Sequence, residues 1–405
     1  MKTERNFPGY VITKKGTLWV EGGHPWIYEA EVMECIGKEP ENGSLVDAFS
    51  VNGKYLGTGF LSKQSKIRIR LISDNANDKF DEAFFKRRIK YAWDYRKQVM
   101  GEDISACRVI FGEADKFPGL TVDRYNDILV TEVLSVGIEK IKDMLYRLLV
   151  EVLSEDGVKI NGIYERNEAP IRKLEGLPCE KGWYRPADSV ITQITENGVK
   201  YKVDVENGQK TGFFLDQKYN RRAAGKLSKG LRVLDCFTHT GSFALNCALS
   251  GAEHVTAVDI SETAIEMAKE NAGLNGLTDK MSFICTDVFD LLTELEKKKT
   301  PDYDMIILDP PAFTKSRKTV KNAERGYKDI NLRAIRALPR GGYLCTASCS
   351  HFMEDELFVK MLKKAARDSG KELRQIEARQ QSPDHPILWN VPETAYLKFY
   401  IFQVI

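Results

Sequence analysis

The chain has 405 residues, of which 42% are hydrophobic and 29% charged. At about 100–200 residues per domain this implies two to four domains of ordinary composition. Disorder, collagen and coiled coil are excluded as whole-chain descriptions. Sixty Lys and Arg stand against 58 Asp and Glu, a formal charge of +2, which taken alone hints at no polyanionic partner.

Met1–Tyr10 is polar and lacks an apolar signal core. No apolar run approaches the ~18–20 residues that span a bilayer, so a cytoplasmic protein with no membrane partner is expected. The eight cysteines lack CxxC spacing. That disfavours a zinc site or a disulfide framework and fits reduced thiols, so no metal is expected.

Up to about residue 70 the pattern is β-rich. Two short apolar segments in Leu45–Ser62 flank Asn52 and Gly53, a hairpin signal, because both residue types tolerate positive φ. Lys66–Leu71 alternates strictly, with Ile67, Ile69 and Leu71 on one face and Lys66, Arg68 and Arg70 on the other. This is a half-buried strand with a cationic outer face, which a solvated edge strand would also explain. Asp81–Met100 has apolar residues at helical spacing and a basic opposite face. A mixed region follows to about Thr195, with a strand at Ile128–Leu134 and a helix at Ile138–Leu153.

From Leu231 the chain alternates strand and helix, the mark of a parallel α/β sheet. Strands are expected at Leu231–Leu234, His254–Val258, Met281–Cys285, Met305–Leu308 and Gly342–Thr346, and an aromatic one at Tyr396–Val404. Helices are expected at Ser242–Leu249, Ser261–Asn275, Tyr327–Leu338 and Asp355–Ser369.

The loop Asp235–Phe243 joins the first of these strands to its helix. It has one glycine, Gly241, and opens on an acid, Asp235. A dinucleotide loop needs three spaced glycines to admit a pyrophosphate, so hydride chemistry is disfavoured. The loop suits a ligand with an amino group and no phosphate. Asp259 ends the second strand, where a carboxylate can accept both hydroxyls of a ribose. Asp287 follows the third, placed to accept from an adenine amino group. Amino acid, ribose and adenine together describe S-adenosylmethionine. One such acid could merely cap a helix, but three on successive strands favour a cofactor site.

Asp309-Pro310-Pro311 follows the fourth strand, and two prolines make a stiff loop. Phe313 is expected to offer an exposed ring for a base to stack on. Cys349 follows the fifth strand. If strands four and five are neighbours, Cys349 and Asp309 share a cleft. A thiolate there could add to C6 of a cytosine and make C5 nucleophilic. A small buried packing residue is the alternative, and on residues alone the two stand level.

Five stretches carry a resemblance. They are Gly112–Tyr125 (GEADKFPGLTVDRY), Gly208–Gln217 (GQKTGFFLDQ) with Asn220 and Arg221, Asp235–Phe243 (DCFTHTGSF), Asp309–Phe313 (DPPAF) and Ser348–Ser350 (SCS). Over nearly its whole length the chain resembles the bacterial 23S ribosomal RNA large-subunit methyltransferases that make 5-methylcytosine. The resemblance implies an α/β fold in three parts: a PUA-like RNA-binding domain at 1–74, a central α+β domain at 75–192, and a Rossmann-like class I methyltransferase domain with a seven-stranded, mostly parallel sheet at 193–405. It implies S-adenosylmethionine as cofactor, ribosomal RNA as partner, and room for a homodimer.

Asp235, Phe237, Gly241, Asp259, Asp287 and Asp309 would line the cofactor pocket, with Phe214, Gln217 and Arg221 in the segment that closes over it. Cys349 would be the nucleophile, with Asp309 beside it. Pro310, Pro311, Phe313, Lys315, Arg317 and His385 would meet the substrate, although His385 is rather expected to pin a loop. Relatives with a similar DPPxF loop methylate purine amino groups and need no such cysteine. A non-catalytic RNA-binding assembly factor is the rival from another class.

The small net charge is a cancellation. Lys63–Lys97 has 11 basic and 5 acidic residues, Gln209–Arg232 has 7 and 1, and Lys315–Lys328 has 6 and 1. Glu21–Asp47 offsets them with 1 and 7. An RNA path requires the three basic stretches to line one face around Asp309 and Cys349.

Overall fold

The computed structural model describes residues 7–314 and 316–405, so Lys315 lies outside the described residues. The chain forms two compact units. The first comprises residues up to Ile194 together with Val203–Leu215 and Pro383–Thr394. The second comprises Thr195–Lys202, Asp216–Ser382 and Ala395–Ile405.

The first unit opens with β1 (Gly9–Ile12), α1 (Lys14–Glu21), β2 (Trp26–Tyr28), β3 (Val32–Ile36), β4 (Leu45–Ser50), β5 (Tyr55–Leu61) and β6 (Ile67–Ser73). These strands form one sheet in the order β2-β6-β5-β4-β1-β3. β4 and β5 pair antiparallel as expected. Only Gly53 of the Asn-Gly pair has positive φ, so the loop is a longer one than a two-residue turn. β6 lies between β2 and β5 and is no edge strand. Its Arg70 is buried and ion-paired to Glu175, and its Arg68 reaches Glu29.

Next come α2 (Glu82–Met100), β7 (Ala106–Phe111), β8 (Leu120–Tyr125), β9 (Ile128–Val133), α3 (Val136–Glu155), β10 (Gly162–Asn167) and β11 (Glu180–Arg185), with sheet order β11-β10-β9-β8-β7. Asp81 caps α2 by accepting from the Phe84 N–H at 2.9 Å. Most cations of the stretch Lys63–Lys97 already have a carboxylate partner, for example Lys86 with Glu151 and Arg96 with Asp115.

β12 (Ile191–Glu196) and β13 (Val199–Asp204) form a hairpin. Its turn is Asn197-Gly198, and here both residues have positive φ, 53° and 80°. This is the tight turn that an Asn-Gly pair favours.

The second unit continues with α4 (Lys218–Leu227), β14 (Arg232–Cys236), α5 (Ser242–Leu249), β15 (His254–Asp259), α6 (Glu262–Leu274), β16 (Met281–Cys285), α7 (Val288–Leu295), β17 (Met305–Leu308), α8 (Val320–Ala337), β18 (Tyr343–Ser348), α9 (Asp355–Ser369), β19 (Leu373–Arg379) and β20 (Lys398–Val404). The sheet order is β16-β15-β14-β17-β18-β20-β19. The first five are parallel and β20 is antiparallel to both its neighbours. β17 is buried along its whole length because helices cover both faces, which explains its unbroken apolar sequence.

α8 begins seven residues before the expected Tyr327. Its first turns carry exposed Lys321, Asn322 and Arg325, which give no apolar period to read. β19 is a polar edge strand and has none either.

Candidate active site

The strand order reverses direction at β14, between β15 and β17. In open α/β sheets the ligand crevice lies there, beyond the carboxyl ends of the strands. The loop after β14 is built for close approach. Phe237, His239 and Gly241 have left-handed backbones, with φ of 63°, 50° and 79°. Such strain in non-glycine residues gathers at functional sites. A Cβ on Gly241 would sit 3.1 Å from the Ala268 Cβ, so at this left-handed backbone any larger residue would be strained and press on α6.

Asp235 is fully buried. Its Oδ2 accepts from the Thr238 hydroxyl at 2.5 Å and the Ala244 N–H at 2.9 Å. Its Oδ1 has no hydrogen-bond partner among the described residues. Burial pushes its carboxyl up to about 7, the two hydrogen bonds hold it down, and the nearby charges of Asp309 and Asp259 push it further up. A buried acid with one open oxygen calls for a cationic donor, and an ammonium group answers that need.

Asp259 accepts the His239 and Ser261 N–H groups, each at 2.9 Å. Asp287 caps α7 through the Phe289 N–H at 2.7 Å. Asp287 therefore has the capping role, whereas Ser261 caps α6 and Asp259 ties loop backbone; each carboxylate keeps further lone pairs for a ligand.

β17 and β18 are parallel neighbours, with Leu308 opposite Thr346. Their carboxyl ends are thus about 5 Å apart, and Asp309 and Cys349 extend from them. Gln217 Nε2 donates to Asp309 Oδ1 at 2.8 Å. Asn220 Nδ2 donates to Gln217 Oε1 at 2.6 Å, and Arg379 Nε donates to Asn220 Oδ1 at 3.1 Å. A buried polar chain therefore orients Asp309, and Gln217 is its last link.

Cys349 is half-buried in a held loop. The buried Tyr327 hydroxyl lies 3.1 Å from the hydroxyls of both Ser348 and Ser350, so each serine of the SCS stretch fastens one side of the cysteine. Lys398 stands opposite Ser348 on β20. Its Nζ donates to the Ser350 carbonyl at 2.7 Å and the Tyr396 carbonyl at 2.8 Å. Burial lowers the Lys398 ammonium to about 8, against the opposing pull of Cys349, Asp355 and Glu354. Sequence reading missed Lys398. Its signal is a lone charge opening an otherwise apolar strand.

Phe313 is not an exposed platform. Its ring is half-buried, 4.5 Å from the Tyr327 ring and 6.1 Å from that of Phe289, because the loop folds back onto α8. Arg221 is buried in a two-pronged bond to Glu196, at 2.7 and 2.8 Å, which ties α4 to the β12 end. Pro310 is buried, while Pro311 and Arg317 are exposed.

His385 and Phe214 belong to the first unit. His385 is buried there, with Nδ1 2.9 Å from Asp384 Oδ1 and its ring against Phe111. Asp384 accepts from the Arg108 N–H through Oδ2 and from Arg96 through its carbonyl. Buried in this way, His385 pins its loop and presents no face to a substrate. Phe214 is half-buried, with Lys210 Nζ 4.6 Å from its ring centroid. The stretches Gly112–Tyr125 and Gly208–Gln217 meet here: Thr211 donates to Asp123, and the Phe213 N–H donates to the Tyr125 hydroxyl.

This sheet order and these loops define a Rossmann-like methyltransferase. The S-adenosylmethionine-dependent methyltransferase family model matches residues 177–403, and a PUA-like domain matches residues 11–74. Among curated relatives, ribosomal RNA large subunit methyltransferase I of Aeromonas hydrophila is 41% identical over 93% of this chain and 94% of that protein. The protein of the same name from Klebsiella pneumoniae is 36% identical over 99% of this chain and 100% of its own length. A Streptococcus mutans structure described as a SAM-dependent methyltransferase has a TM-score of 0.80 at 22% identity, covering 98% of this chain and 99% of that one. A methyltransferase complexed with SAH has a TM-score of 0.82, also at 22% identity with the same coverage.

The chain belongs to the ribosomal RNA large subunit methyltransferase I family, within the S-adenosylmethionine-dependent methyltransferases. Its cofactor is S-adenosylmethionine, and the open Asp235 oxygen fits that molecule's amino group. Among the described residues no cluster of acids, histidines and cysteines is placed to hold a metal, and no helix is long and apolar enough to cross a membrane.

Proposed function

We propose that the protein methylates a cytosine at C5 in 23S ribosomal RNA, in the cytoplasm, with Cys349 as covalent nucleophile. The observation that carries this reading is the held cysteine at the end of β18, beside Asp309 on the adjacent strand. The relatives' printed name supports the substrate class. Bound S-adenosylmethionine supplies an electrophilic methyl group.

Cys349 adds as thiolate to C6 of an extruded cytosine, which makes C5 electron-rich. C5 takes the methyl group. Asp309, oriented by Gln217, holds the polar edge of the base. Loss of the C5 proton restores the C5–C6 double bond and expels the thiolate. Pro310 and Pro311 keep Asp309 rigid, and the exposed Arg317 is available to phosphate. Nucleoside mass spectrometry after incubation with unmodified ribosomal RNA tests the reaction. 5-Methylcytosine is expected, whereas methylated guanine or adenine would assign the protein to the purine amino class. No transfer to any RNA would favour the assembly-factor reading.

Lys398 should favour the Cys349 thiolate, since the two groups interact electrostatically and an opposite charge favours the ionised form. In Lys398→Met, alkylation of Cys349 at pH 7, followed on its own peptide, should slow about tenfold, with the pH midpoint raised by about one unit. Lys398→Arg should restore much of the rate. Identical midpoints in wild type and Lys398→Met would remove Lys398 from the mechanism.

Gln217→Leu should lower turnover about 10- to 100-fold, the range of a lost hydrogen bond to a charged group, with little change in cofactor affinity. A weakened cofactor affinity at unchanged turnover would instead make Gln217 a cofactor contact.

A further inference from the structure

The first unit contains a cavity of about 690 Å³, lined among others by His24, Arg88, Lys116, Leu388 and Asn390. Its cations are unlike their neighbours. Arg87 pairs with Asp78, Lys86 with Glu151, and Lys54 at the cavity with Glu21. Arg88 and Lys116 are half-buried, and neither side chain makes an ion pair or hydrogen bond to a described residue. Arg88 only rests its guanidinium 5.1 Å from the Phe84 ring centroid.

Burial disfavours the charged form of both; Asp78 and the cavity-lining Asp74 oppose this at Arg88, while at Lys116 Arg88 adds repulsion and Asp74 opposes it. Lys116 is held in place. Its backbone is left-handed at φ 64°, and its N–H donates to the Glu113 carbonyl at 3.1 Å. Two like charges fixed in one partly dry cavity are stabilised by an anion.

A loop that lines the cavity also carries an aromatic group. Leu388 and Asn390 line the cavity, and Trp389 between them is 94% exposed. The Leu388 N–H donates to the Thr394 hydroxyl at 2.9 Å and closes the loop that carries the indole. A bare indole on a fixed loop is a stacking surface.

We propose that this cavity is a nucleotide-binding site for single-stranded RNA: Arg88 and Lys116 take a backbone phosphate, and Trp389 stacks the adjacent unpaired base. The site lies within the first unit, which holds none of the proposed methyl-transfer residues. The inference rests on the reading that the substrate is RNA.

Binding of a single-stranded RNA oligonucleotide to the full chain tests it, as a function of salt. Arg88→Gln with Lys116→Asn, the asparagine chosen because it tolerates a left-handed backbone, should weaken binding at least tenfold. One phosphate contact contributes about 0.7 to the log–log salt slope of a single strand, so the slope should fall by that amount. Trp389→Ala should cost about tenfold and leave the slope unchanged. Melting temperature and cofactor affinity should match wild type in both variants. Variants that bind as wild type does, with the same slope, overturn the inference while the RNA reading stands. A wild-type protein that neither binds nor methylates RNA overturns that reading itself. Equal affinity for a duplex of the same sequence overturns the stacking.

Discussion

Cys349→Ala is expected to abolish methyl transfer to ribosomal RNA while leaving cofactor affinity and melting temperature near wild type. The loss should exceed about a thousandfold, because no neighbouring side chain can add to C6 in place of the thiolate. The fold should survive. Cys349 is half-buried, and its loop is fastened by Tyr327 and Lys398 through Ser348 and Ser350, none of which the substitution touches. RNA carrying 5-fluorocytidine gives an independent readout. The fluorine cannot leave as a proton does, so elimination stalls and the Cys349–RNA bond persists as a slow band on a denaturing gel. Cys349→Ala should give no such band. Full methylation by the mutant would sink the covalent mechanism and return the purine amino class to the front.

What was legible in the sequence followed from burial. β17 matches its expected bounds, because a central strand covered on both faces shows as an uninterrupted apolar run with no alternation. The place of Asp235, Asp259 and Asp309 at the carboxyl ends of strands was legible because the strands that carry them were. Other features depend on tertiary partners that one position cannot announce. Arg221 reads as a free cation until Glu196 arrives from a hairpin 25 residues earlier. Phe313 reads as exposed until α8 supplies Tyr327 to cover it. Lys398 stands beside the Cys349 loop only because the last parallel strand takes an antiparallel neighbour, which brings residues 348 and 398 side by side. His385 offered both chemistry and packing, with packing the preferred expectation, and it is buried against Phe111.

Asp235→Asn should separate stability from cofactor binding. In the folded, cofactor-free protein, burial lifts the Asp235 carboxyl to about 7, against about 3.9 in an unfolded chain. Between those values the folded form holds a proton that the unfolded form has lost. Stability therefore falls as pH rises through that window and is level above it. Three units correspond to about 4 kcal/mol, an upper figure for one group. Asparagine carries no charge, and its carbonyl can still accept from Thr238 and Ala244. Without cofactor, the variant should melt higher than wild type at pH 8 and close to it at pH 5. With cofactor the order should reverse at pH 8, since the cofactor's ammonium loses its charged partner and affinity drops at least tenfold. Thermal melts at the two pH values, with and without S-adenosylmethionine, give all four comparisons. A cofactor-free variant that melts below wild type at pH 8 would show that Asp235 is held charged and satisfied by the fold alone. The open Oδ1 would then have no claim on the ligand's amino group.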